Sequence, residues 1–156
     1  MSITEMYTRR QLNAMYRSIP LKDSVFRLLR KYFSAASNLY GVIPLRKLYE
    51  IIESQNPGFV TRAEFIAFSQ IAKHEREGYF ILSEGDLFQS GKYTPFLDYE
   101  VIDTTLLEID IFHYIFLKKF QYGKPYYVPD KKVFLYYADP FYCDVTEETT
   151  SLRSFL

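Results

Sequence analysis

The chain has 156 residues, 48% hydrophobic and 24% charged, which suits one globular domain, or one with a subdomain, able to bury about 70% of its unfolded surface. Its nineteen Lys/Arg balance nineteen Asp/Glu, and the single cysteine, Cys143, excludes an internal disulfide and a cysteine-built zinc site. No apolar run reaches the roughly 18 residues of a membrane span and the N-terminus has no apolar signal core, so a cytoplasmic protein without metal or cofactor is expected.

The even balance hides an asymmetry. Residues 1–47 hold nine Lys/Arg and two Asp/Glu, a net of +7, and the remainder carries −7. A basic front and an acidic back can pair within one molecule, between two copies, or with an outside polyanion. Aromatic residues are also heavy: 15 Tyr and 14 Phe with no Trp. Buried tyrosines need a partner for the hydroxyl, so many should sit half in, with the oxygen wet.

In chain order, Ser2 and Glu5 pattern as a capping box for a first helix to about Ser18, in an N-terminal unit 1–23. A second helix runs from Ser24 to Leu39. Val25, Leu28, Leu29, Tyr32, Phe33, Ala36 and Leu39 form its apolar stripe, and Arg27, Arg30 and Lys31 its basic face. The Tyr40-Gly41 stop leads to a short strand, and Pro44 opens a third helix at its first turn.

The string from Gln55 to Phe65 has the glycine and glutamate spacing of half a calcium loop. Pro57 and Gln55 fall where that loop needs Asp or Asn, which excludes the site. Thr61-x-x-Glu64 is instead a capping box for a fourth helix to about Glu77, after a Pro57-Gly58 turn. Its outward face is expected to carry Arg62, Ile66, Ser69, Gln70 and Lys73, with Arg76 alongside. Residues 79–88 then pattern as a hairpin turning at Glu84-Gly85-Asp86.

Helix, short strand, helix, turn, helix, hairpin over residues 24–90, within a unit 24–91, resembles the winged-helix superfamily. The resemblance rests on element order and on the Gly41, Pro44 and Pro57-Gly58 punctuation. It implies that the fourth helix could enter a major groove. Ile66 in the middle of that face, the diluting Glu64, Glu75 and Glu77, and acidic residues at the wing tip weigh against DNA, leaving a solvated helix face or protein contact through Ile66 ahead of it.

Residues 92–156 read as a helical, Tyr-rich part packed on this unit. Residues 93–103 are loop or strand. A helix from the Thr105-x-x-Glu108 cap to Tyr122 is apolar nearly all round, hence central or at an oligomer interface, although "LEIDIF" also alternates as a strand does. A short helix follows around residues 131–138, and a final one is capped near Thr146. The lysine-interleaved tyrosines of residues 124–143 pattern as packing residues rather than base-stacking platforms, because nearby aspartates cancel the lysines.

Catalytic signals are thin. HExxH, P-loop and GxGxxG patterns are absent, and of the two histidines His74 reads as solvent-facing and His113 as a core residue. His113, Asp110 and Cys143 are the one trio with nucleophile chemistry, and no spacing joins them. The expectation is a mainly α, non-catalytic binding or regulatory module whose partner is a protein, a second copy through residues 105–122 included. A nucleic-acid-binding regulator using Arg62, Lys73, Arg76 and the basic front is the alternative.

Overall fold

The computed structural model describes residues 4–143. The Ser2 cap and the final helix expected near Thr146 lie outside them. Helix α1, Arg9–Arg17, starts at a different box: the Thr8 hydroxyl accepts from Gln11 N–H, and the Gln11 side chain accepts from Thr8 N–H. Helix α2, Asp23–Tyr40, buries Phe26, Leu29, Tyr32, Phe33 and Ala36. Phe26 joins the expected stripe, while Val25 and Leu28 lie half-buried at its edge. The helix stops at Gly41, whose φ is +75°. A Cβ there would stand 2.7 Å from the Leu117 side chain, so glycine serves both the turn and a close approach.

Strand β1, Val42–Pro44, leads into helix α3, Leu45–Gln55. Gly58 follows with φ +71°, its N–H donating to Glu53. Helix α4, Arg62–Ala72, begins at the expected Thr61/Glu64 capping box, but it ends well short of Glu77. Strand β2, Tyr79–Leu82, comes next.

Here the hairpin expectation needs correction. Residues Glu84–Phe88 are not a second strand but helix α5, started by a Ser83/Asp86 capping box. A serine followed three residues on by an acid begins a helix, and that outweighed the Glu-Gly-Asp turn signal. The partner of β2 is strand β3, Glu100–Asp103, reached through a 3₁₀ turn at Phe96–Asp98. The sheet is antiparallel in the order β1-β3-β2, with Ile43 opposite Val101 and Val101 opposite Ile81.

Alternation along these strands divides the interior in two. Ile43, Ile81 and Val101 face the main core of Phe33, Leu48, Ile52, Phe65 and Phe68. Val42 and Ile102 join Leu82, Leu87 and Tyr114 in a smaller core.

Beyond β3 the single helix expected over residues 105–122 is broken. A 3₁₀ turn, Thr104–Leu107, is capped by Asp103, which accepts from Thr105 N–H, and not by Thr105 and Glu108. Helix α6, Phe112–Gln121, starts only after Asp110 accepts from Phe112 N–H. Helix α7, Lys131–Tyr136, is capped by Asp130, and its Phe134 is fully buried near the Tyr32 and Tyr40 rings. The fold is mainly α with a small sheet, compatible with a winged-helix arrangement. Among the described residues no helix is long and apolar enough to cross a membrane.

Candidate functional site

The outer face of α4 is less open than its sequence suggests. Ser69 is not on it: the side chain is fully buried and donates to Phe65 C=O. Ile66 and Lys73 are half-buried, and the Lys73 ammonium stands 5.8 Å from the Phe96 ring centre. Arg62, Gln70 and Arg76 are exposed, with Arg62 against the Tyr49 ring. Nor do Glu84 and Asp86 form an acidic hairpin tip. Glu84 approaches Lys118 at 3.6 Å, and Asp86 caps α5.

The basic face of α2 is split. Arg27 and Lys31 are exposed. Arg30 lies over the Tyr16 ring and reaches toward Glu75 at 3.9 Å. Glu75, expected to dilute charge on the surface, is only 3% exposed. It accepts from Tyr16 Oη at 2.7 Å and pairs with Arg9 at 2.6 Å. Burial, then the contact with Glu75, pushes the Tyr16 phenol well above its usual range, and the same contact raises Arg9. Part of the basic front is thus neutralised internally, just after α4. Arg17, Arg27 and Arg30 line an open depression of about 610 Å³ over Tyr16 and Phe26.

A second buried carboxylate, Glu100, sits at the start of β3 and is also 3% exposed. It accepts from Tyr114 Oη and from Lys118 Nζ, the latter at 2.5 Å. Burial and Glu100 drive the Tyr114 phenol far up. Burial alone would lower Lys118, but Glu100 and Glu84 more than reverse this. Tyr114 and Lys118 are four apart and share one side of α6. They pin that side to the sheet, with Ile111, Ile115 and Leu117 packed beside them.

The other side of α6 has little cover among the described residues. Phe112, Phe116 and Phe120 are 59%, 63% and 69% exposed, and Ile109 just before the helix is 83% exposed. Spacing of four puts the three rings on one stripe. Acidic Glu108 and Asp110 precede it, and exposed Lys119 and Lys124 lie at its far end. The Lys124 ammonium stands 3.5 Å from the Phe120 ring centre. The apolar content of this segment was plain in the sequence. Its direction was not: Tyr114 and Lys118 mark the sheet side, so the phenylalanines at i, i+4 and i+8 turn away.

His113 is exposed, not in the core as expected, with Nδ1 3.9 Å from Asp110. A helix start at Phe112 turns it outward. His74 is half-buried, stacks on Tyr7 and has Nδ1 2.8 Å from Glu5 C=O. Gln55 bridges the Tyr32 hydroxyl and Pro129 C=O, a structural role for the calcium-like string. Among the described residues no group of three or more His, Cys, Asp or Glu is placed to hold a metal. No protein-family model matches the chain, and no curated protein or solved structure is detectably similar to it.

Proposed function

We propose that the protein is a non-catalytic interaction module of winged-helix type that docks a protein partner on the exposed face of α6. The supporting observation is the row of Phe112, Phe116 and Phe120, each more than half exposed on one helix. Scattered apolar residues on a surface are ordinary, but a contiguous aromatic row marks a contact site. Its supports are fixed: Glu100 holds Tyr114 and Lys118 from below, so the rings are presented on a braced element.

The test is a photo-crosslinking residue in place of Phe116 in living cells, with the same residue at the isolated, exposed Tyr93 as control. Adducts specific to position 116 are the expected result. A bare band at both positions sinks the proposal.

A nucleic-acid-binding regulator is the second reading, and one observation favours it. Glu84 lies near Lys118 and Asp86 caps α5 rather than tipping a wing, which lessens the repulsion expected there. Against it, Ser69 faces inward and Lys73 stands beside Phe96, leaving Arg62, Gln70 and Arg76 to meet bases. Anisotropy titration of labelled mixed-sequence duplex DNA decides. Salt-sensitive binding lost in Arg62→Ala and Arg76→Ala would establish this reading.

A further inference from the structure

We propose that the partner on α6 is a second copy of this chain, packed antiparallel across a two-fold axis at Phe116. This rests on the function proposed above and names its partner. A two-fold interface is formed by one patch meeting itself, so the patch must be its own complement. The α6 stripe meets that condition. It holds three rings, so antiparallel packing sets Phe116 against its own counterpart and Phe112 against the partner's Phe120.

The charges agree with the same geometry. Glu108 and Asp110 are exposed at the start of the stripe, and Lys119 and Lys124 are exposed at its end. Antiparallel packing brings the acidic end of each copy to the basic end of the other. Parallel packing would set acid on acid and base on base. The lysine within the segment that could confuse this pattern, Lys118, is already held by Glu100 and Glu84 on the opposite side. Lys124 lies over the face of Phe120, the last ring of the stripe, and so places a positive charge at that end.

Size sets the strength. Ten helical residues span about 15 Å. Such a face lies at or below the small end of stable interfaces, so a dissociation constant on the order of micromolar is expected.

Sedimentation of the purified chain from about 1 to 300 μM should show a reversible monomer–dimer equilibrium. Phe116→Glu should raise the dissociation constant at least about a hundredfold. Phe116→Ser is a milder second variant, and circular dichroism confirms that both fold. Orientation is read from a charge swap. Glu108→Lys alone and Lys124→Glu alone should each weaken self-association, and an equimolar mixture of the two should restore it as a heterodimer. Failure of the mixture to recover overturns the antiparallel geometry.

A wild-type chain that stays monomeric throughout overturns the self-pairing itself. If position 116 then still crosslinks to a protein of different mass in cells, the docking function stands without it. If it crosslinks to nothing, both fall.

Discussion

Two helices on the outside of the molecule, α1 and α6, are tied to it by the same device and end in opposite states. Each places a tyrosine hydroxyl and a cation on one buried carboxylate: Tyr16 and Arg9 on Glu75, and Tyr114 and Lys118 on Glu100. Around that anchor α1 is frugal with apolar residues and hides Leu12 and Tyr16. Helix α6 is rich in them, yet buries Tyr114 alone and leaves three phenylalanines in water. Apolar content therefore does not decide how deeply a helix sits here. The anchor fixes which side faces inward, and whatever lies opposite stays out. On the function proposed above, the apolar surplus opposite the α6 anchor is the docking face.

The sharpest way to break this comparison is to truncate one apolar side chain on each helix. Leu12→Ala empties space in the main core and should destabilise the monomer by about 3 kcal/mol. Phe116→Ala removes a larger side chain but should stay within about 0.5 kcal/mol, because little of it is buried. Urea unfolding, at a concentration low enough to hold the chain monomeric, measures both. Equal losses would mean that α6 covers its rings and that the contrast is false.

The anchors themselves come next. Glu100→Ala strands a buried phenol and a half-buried ammonium, and should lose about 3 kcal/mol. Glu75→Ala should lose less, about 2 kcal/mol, because Arg9 is more than half exposed and returns to water, leaving chiefly the Tyr16 hydroxyl unmet. Hydrogen exchange should show α6 loosened in the first variant and α1 in the second. Loss of protection spread evenly over the chain would deny the anchors their separate roles.

Alkaline stability tests the tyrosines of both anchors together. The folded chain holds Tyr16 and Tyr114 protonated far beyond the ordinary phenol range, chiefly through burial. Above about pH 10 the unfolded chain releases these protons and the folded chain keeps them, so stability falls as pH rises. Below that pH both states hold the proton and the contribution is constant. Tyr114→Phe should flatten the alkaline fall relative to wild type. An unchanged slope would mean that this phenol does not differ between the two states.

Helical periodicity and capping chemistry made most of the front half legible: α2, β1, α3 and the Thr61/Glu64 start of α4 lie where local signals place them. The second strand of the hairpin was lost because Ser83-x-x-Asp86 is a local helix signal, whereas the pairing of β2 with Glu100–Asp103 is a non-local choice set by the sheet. Ser69, expected on the outer face of α4 with Ile66 and Gln70, lies inside. A hydroxyl that bonds back to the carbonyl four residues earlier needs no water. The buried acids were illegible for the same reason that they are informative. Nothing near Glu75 or Glu100 in sequence announces Tyr16 or Tyr114 as its partner. The α6 stripe was half legible: its apolar content was evident, but its direction depended on Glu100.

The smallest predicted effects have opposite signs and probe the edges of the two anchors. Each anchor has a second carboxylate nearby: Glu77 beside Glu75, and Glu84 beside Glu100. Protein crowding, then the neighbouring Glu75, raises the Glu77 carboxyl above its ordinary range. Its charged form is thus disfavoured by folding, and that penalty develops as pH rises from the unfolded-state value through the raised folded-state value. Glu77→Gln removes it and should stabilise the protein at pH 7 by no more than about 0.5 kcal/mol, since Glu77 is exposed and solvent screens it. Glu84 stands 3.6 Å from Lys118, which has one fully buried acid partner and one exposed one. Glu84→Gln removes an attraction, and should destabilise by a similarly small amount that shrinks further in about 0.5 M salt. Paired thermal melts of the two variants in one buffer read the signs directly. A loss in both would mean that attraction to Arg30 and Arg9 outweighs the crowding and the Glu75 repulsion that disfavour the Glu77 charge, making the α1 anchor a network of two acids rather than one.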